Sequence, residues 1–146
     1  MLLLSKTNIG ANATTVGLTA KGLHNLQYLA VEAEFVVDSG GGTADVYVQT
    51  SLDGGATWID IMNFHFTTAS KKAVSAVVMT TALAASVDVT SADGALASGT
   101  ILSGLLGPMI RAKLVTASTV YGGATTLKVY AVPVLASAQT ASGPIA

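Results

Sequence analysis

The chain has 146 residues, no cysteine, a net charge of −1 and only 10% Asp, Glu, Lys and Arg. That length suits one domain, 1–146, with a sizeable core. The missing cysteines exclude a disulfide framework and thiolate metal sites, and seven basic residues scattered along the chain give no basic stripe for nucleic acid or an anionic membrane.

A typical soluble domain is about 25% charged. With 51% apolar residues and a mean hydropathy of +0.60, two readings fit. Either much of the surface is hidden in an assembly, or the outside is coated with Thr, Ser, Ala and Gly; the assembly reading is preferred. No targeting or membrane-spanning segment is expected. Met1-Leu2-Leu3-Leu4 is apolar, but Ser5, Lys6 and Thr7 end the run, and no stretch approaches ~18 apolar residues.

In chain order, residues 1–20 hold Thr, Ala, Gly and Asn with one or two weak strands, and read as an N-terminal arm. Residues 27–37 alternate: Leu29, Val31, Ala33, Phe35 and Val37 on one face, Tyr28, Glu32 and Glu34 on the other. That is a half-buried strand, ended by the turn Asp38-Ser39-Gly40-Gly41-Gly42. Residues 44–51 follow with Ala44, Val46 and Val48 inward and Asp45, Tyr47 and Gln49 outward. Strict alternation over residues 57–66 sets Trp58, Asp60, Met62, Phe64 and Phe66 on one face and Ile59, Ile61, Asn63 and His65 on the other. Both faces are largely apolar, which predicts cover on both sides, as an oligomer contact would supply.

Residues 73–80 are a short apolar strand. In the region 81–107, Val87-Asp88-Val89 reads as a short strand and 95–106 as a loop or helical turn. Residues 109–115, started by Pro108, point Ile110, Ala112 and Leu114 inward and Arg111 and Lys113 outward. Tyr121-Gly122-Gly123 turns into a last strand over 125–134, with Leu127, Val129 and Ala131 inward and Lys128 and Tyr130 outward. The small, polar residues 137–146 read as a loose C-terminal tail. No stretch repeats at 3.6 residues. About six to eight strands between Gly-rich turns predict an all-β fold, an antiparallel β-sandwich with the jelly roll among its topologies.

The inventory for chemistry is thin. His24 sits in a turn and His65 in a strand, with no spacing that supplies a partner. The six Asp residues are spread out; Asp88 with Asp93 beside Gly94 gives too few ligands for a calcium loop, and no metal or cofactor is expected. Glu32 and Glu34 share a strand face, which reads as a solvated face rather than a glycosidase pair. Gly40-Gly41-Gly42 is not followed by Lys-Ser/Thr, so it is no phosphate loop.

The strongest local pattern is Ser51-Leu52-Asp53-Gly54-Gly55-Ala56-Thr57-Trp58, which resembles the Asp-box, a tight β-hairpin of sialidase propellers and many unrelated β-proteins. Asp53 can turn its carboxylate onto turn amides, and Gly54 and Gly55 tolerate positive φ. Trp58 then opens the outgoing strand. Ser51, Asp53, Gly54, Gly55, Thr57 and Trp58 are thus structural hairpin residues, not catalytic ones. Sialidase chemistry itself needs an arginine cluster to hold a carboxylate, and Arg111 is the chain's one arginine.

The wider pattern from Val46 to Trp58, followed by Phe64-His65-Phe66-Thr67-Thr68-Ala69, resembles small virion proteins of tailed bacteriophages. Leu106-Gly107-Pro108 with Ile110-Arg111-Ala112-Lys113, and the turn Tyr121-Gly122-Gly123-Ala124-Thr125-Thr126-Leu127, extend the likeness to about residues 28–132. The resemblance implies a non-enzymatic β-sandwich in the virion: a capsid decoration (cement) protein, or else a head fibre or a neck or tail component. It further implies the major capsid protein as partner, a homotrimer on local three-fold positions, synthesis in the host cytoplasm and a final place on the capsid surface. Residues 1–20 and 81–107 are the expected capsid-facing contacts. A reading from another class is a carbohydrate-binding module using Tyr28, Tyr47 and Tyr130.

Overall fold

A computed structural model describes residues 1–79 and 92–136. Every regular element among them is a strand: β1 (Leu2–Thr7), β2 (Thr14–Val16), β3 (Leu26–Val36), β4 (Ala44–Ser51), β5 (Ile59–Phe66), β6 (Lys71–Val78), β7 (Met109–Thr116) and β8 (Thr126–Leu135). They form two four-stranded sheets, ordered β1-β8-β3-β6 and β2-β7-β4-β5, and every ladder is antiparallel. The first strand pairs with the eighth, the second with the seventh, the third with the sixth and the fourth with the fifth. The chain is one long hairpin wound over itself, which is the jelly-roll form of the β-sandwich.

The alternation explains the core. Leu29, Val31, Ala33 and Phe35 of β3 and Leu127, Val129 and Ala131 of β8 face Ala44, Val46 and Val48 of β4 and Ile110, Ala112 and Leu114 of β7, all buried in one cluster. Each large aliphatic side chain so buried contributes about 1.5–3 kcal/mol. Phe35 lies 5.0 Å from Phe66 and meets the edge of Tyr121 at 5.2 Å. The Tyr121 hydroxyl donates to the carbonyls of Gly42 and Thr67, both at 3.0 Å, so this buried ring keeps its polar end satisfied.

Residues 1–20 do not stand apart as an arm. β1 pairs along β8 and β2 along β7, one strand for each sheet, and Leu3, Leu4 and Ile9 are buried. The Leu18 amide donates to the Leu3 carbonyl at 2.8 Å. Gly17 lies so close that a Cβ there would collide with that same carbonyl oxygen, so this close approach of two backbones needs glycine.

The face assignment of 57–66 is corrected by a β-bulge. Val48 opposes Met62 but Gln49 opposes Asp60, leaving Ile61 as the extra residue. Ile61, Met62, Phe64 and Phe66 enter the core, while Trp58 and Asp60 fall on the outer face with Asn63 and His65. The chain itself supplies cover on that outer side. Asp60 and Asn63 donate their amides to the carbonyls of Ala92 and Thr100, Leu102 donates to Ile61, and Gly104 donates to Val78. The irregular stretch 92–106 thus pairs along the free edge of β5 and closes this side of the sandwich, an edge that would otherwise offer unpaired backbone. Val87-Asp88-Val89 and the tail 137–146 lie outside the described residues.

Candidate functional site

The outer face of β2-β7-β4-β5 brings Asp45, Gln49, Asp60, Asn63, His65, Arg111 and Lys113 together. At one end stands the hairpin after β4. Gly54 and Gly55 adopt φ of 75° and 96°. Asp53 accepts from the Thr57 hydroxyl at 2.6 Å, the Thr57 amide at 2.9 Å and the Ser51 hydroxyl at 2.9 Å, and Ser51 Oγ accepts from the Gly55 amide at 2.9 Å. Trp58 Nε1 donates to the Gly55 carbonyl at 3.1 Å. These donors, the Thr57 hydroxyl foremost, hold the Asp53 carboxyl down at about 2. All six hairpin residues therefore meet in one turn, and the Ser51, Asp53, Thr57 and Trp58 side chains all bond within it.

Next to it lies Asp60, 1% exposed. Its Oδ1 accepts from Gln49 Nε2 at 2.7 Å and from the Gly94 amide at 3.0 Å. Its Oδ2 accepts from the amides of Gly94, Ala95 and Leu96 at 2.8, 2.9 and 3.1 Å. Three successive amides around one carboxylate form an anion nest, here filled by the protein's own side chain.

Gln49 also donates to Asp93 at 2.7 Å and accepts from Arg111 Nε at 2.7 Å. Arg111 lies 4.0 Å over the Trp58 ring, a cation–π contact that ties the hairpin to β7, and burial pulls its guanidinium below its ordinary pKa. Lys113 Nζ meets Asp93 at 2.8 Å. The hydrogen bonds from Lys113 and then Gln49 lower the Asp93 carboxyl. Asp93 is thereby spent on an ion pair. Among the described residues no three His, Cys, Asp or Glu side chains come together as metal ligands.

Further along the same face, His65 Nδ1 lies 2.9 Å from Asp45 Oδ1. Asn63 Nδ2 donates to Asp45 at 3.2 Å and to the Leu96 carbonyl at 3.1 Å. Ser98 Oγ sits 3.4 Å from Asp45 and 3.3 Å from His65 Nδ1. A serine, a histidine and an aspartate thus come together, but in the wrong order for acyl transfer. A nucleophile triad puts the acid on one ring nitrogen and the serine on the other; here both meet Nδ1, so the imidazole is not placed between them. The carboxylate that sequence spacing did not supply for His65 is its cross-strand neighbour. His24 is exposed in a turn. Tyr47, on this same face, is buried, and that burial raises its phenol pKa. It is not open to stack on a sugar, and it lies on the opposite sheet from Tyr28 and Tyr130.

The outer face of β1-β8-β3-β6 is built differently. One end carries Glu32 and Glu34, which pair with Lys72 at 3.3 and 3.7 Å, and Lys128. The rest is apolar. Leu2, Tyr28, Val74, Val78, Val132 and Val134 stay between 36% and 68% exposed. Sequence reasoning marked Tyr28 and Tyr130 as outward, but did not assemble these valines into one surface, because each strand's contribution is only two or three residues. No family model, no curated protein and no solved structure matches this chain.

Proposed function

We propose that this is a non-enzymatic structural subunit of a tailed-phage virion, a decoration protein that binds the outside of the head and stabilises it. The observation that carries this reading is the contrast between its polar and apolar surfaces. The hairpin, the Asp60 nest and the Asp45–His65 pair spend their polar groups on one another, and among the described residues every buried side-chain nitrogen and oxygen has a partner. What stays uncommitted is apolar sheet surface, the kind of surface that is buried between neighbours.

The jelly roll is compatible, being a fold used by viral capsid and lectin domains, though a fold alone does not fix function. The major capsid protein is the partner, and bound copies would occupy local three-fold positions of the shell, where symmetry repeats each small contact. The described part of the expected 81–107 contact, residues 92–107, is engaged with β5 and β6. Its outward side, including Ala97, Ser98, Gly99 and Thr100, stays exposed. The test is co-sedimentation with expanded heads of the phage that carries the chain, stripped of their outer proteins, together with the heads' disruption temperature. Binding with a higher disruption temperature is expected; no binding, or binding at a single vertex, would remove the decoration reading.

A further inference from the structure

The outer face of β1-β8-β3-β6 pairs its residues in a self-complementary way. Across the line between β8 and β3, the register sets Lys128 beside Glu34, Tyr130 beside Glu32, Val132 beside Ala30 and Val134 beside Tyr28. Outside them, Leu2 of β1 stands in the row of Tyr130, and Val74 of β6 stands in the row of Glu32.

We infer that this face docks a second copy of the same chain, face to face, about a two-fold axis that runs along the strands midway between β3 and β8. Such an axis exchanges β8 with β3 and β1 with β6 while leaving each row at its own height. Lys128 then meets the partner's Glu34, Val132 the partner's Ala30, Val134 the partner's Tyr28, and Leu2 the partner's Val74. Charge falls on opposite charge in the Lys128 row and small side chains on larger ones in the valine rows, while the Tyr130 row lays its ring by the partner's Glu32, a carboxylate that keeps Lys72 beside it. Sheets packed this way lie about 10 Å apart and nearly aligned, within reach of a Lys–Glu pair. Among the described residues Lys128 makes no ion pair within its own chain, and the two-fold contact gives it one.

The size is adequate. A four-stranded face with strands of this length spans about 600 Å² of flat sheet. Side-chain relief brings it toward the ~800 Å² per partner of a standard interface. The contact is isologous, so it yields a dimer of the free protein in place of the trimer expected from the resemblance. It does not rest on the proposed function: a dimer that ignores phage heads, or a monomer that binds them, would separate the two.

Native mass spectrometry over a dilution series tests it. The wild-type chain is expected to dimerise. Lys128→Glu and Glu34→Lys, each alone, place like charges opposite each other and should weaken the dimer at least tenfold. Mixed one to one, with one variant isotopically labelled, they should form a heterodimer tighter than either homodimer, because both crossings become Lys–Glu again. Val132→Glu should give a monomer; if that variant fails to fold, the charge-swap pair decides. A wild-type monomer at all concentrations, a trimer or larger ring, or a dimer that tolerates each charge variant unchanged would overturn the inference.

Discussion

The outer face of β2-β7-β4-β5 carries Gln49, Asp60, Asn63 and Arg111 beneath the chain's own stretch 92–106, whereas the outer face of β1-β8-β3-β6 leaves Val74, Val132 and Val134 open to solvent. Both faces alternate with an equally regular inner row, so strand pattern does not separate them. What separates them is whether the chain returns to cover its own sheet. A covered polar group must be paired, because leaving a buried donor or acceptor unmet costs about 1–3 kcal/mol, and the nest around Asp60 is the result. An open apolar row has no such constraint and remains available to a neighbour. Substitutions on the first face should therefore damage the fold, and those on the second should change association and leave the fold intact.

The largest effect is expected at Asp60. Asp60→Ala leaves the Gly94, Ala95 and Leu96 amides without their acceptor and takes one of the two acceptors of the Gln49 side-chain amide. With each unmet buried amide costing about 1–3 kcal/mol, the loss should be at least about 3 kcal/mol, read from urea unfolding, and a loss below about 1 kcal/mol would mean the nest is not structural. Trp58→Ala comes next, at about 3 kcal/mol, because it removes both the ring beneath Arg111 and the bond to Gly55. Thermal unfolding checks it, and an unchanged melting temperature would detach the hairpin from the rest of the face.

Asp53→Ala sharpens the account through pH. The folded carboxyl lies at about 2, below its ordinary 3.8. Its contribution is therefore fully present above about pH 4 and lost as pH falls through about 2. The variant should melt below the wild type near neutral pH, and the gap should close across that acid window; a gap that stays constant would contradict the assigned hydrogen bonds. The smallest effect on folding is expected at Val132→Glu. Being 60% exposed, it should shift unfolding by about 0.5 kcal/mol or less while abolishing self-association.

Much of the fold was legible because alternation over β3, β4, β7 and β8 is clean, and inward residues such as Val31, Val46, Ala112 and Val129 could be read directly. The Asp-box spacing fixed the hairpin residues for the same reason: every bond in that turn is local. The bulge was not legible. Counted outward from Thr50 opposite Ile59 without it, Asp45 lands opposite Phe64; the one extra residue brings His65 there instead. Strict alternation likewise put Asp60 on the face of Met62, Phe64 and Phe66, yet an acid in an otherwise apolar strand was itself a signal that donors had to come from elsewhere. Those donors, the amides of 94–96, lie more than thirty residues away, beyond any local pattern. Residues 1–20 misled because β1 and β2 are short and the alternation of β1 is broken by a register shift between Leu2 and Leu4.

The contrast between the two faces is tested most directly by NMR with a soluble paramagnetic agent, comparing dilute and concentrated protein. The account predicts that the Gly94, Ala95 and Leu96 amides stay shielded at both concentrations, while the methyls of Val74, Val132 and Val134 are broadened in dilute solution and become shielded on concentration. Broadened amides at 94–96, or valine methyls equally exposed at every concentration, would contradict it.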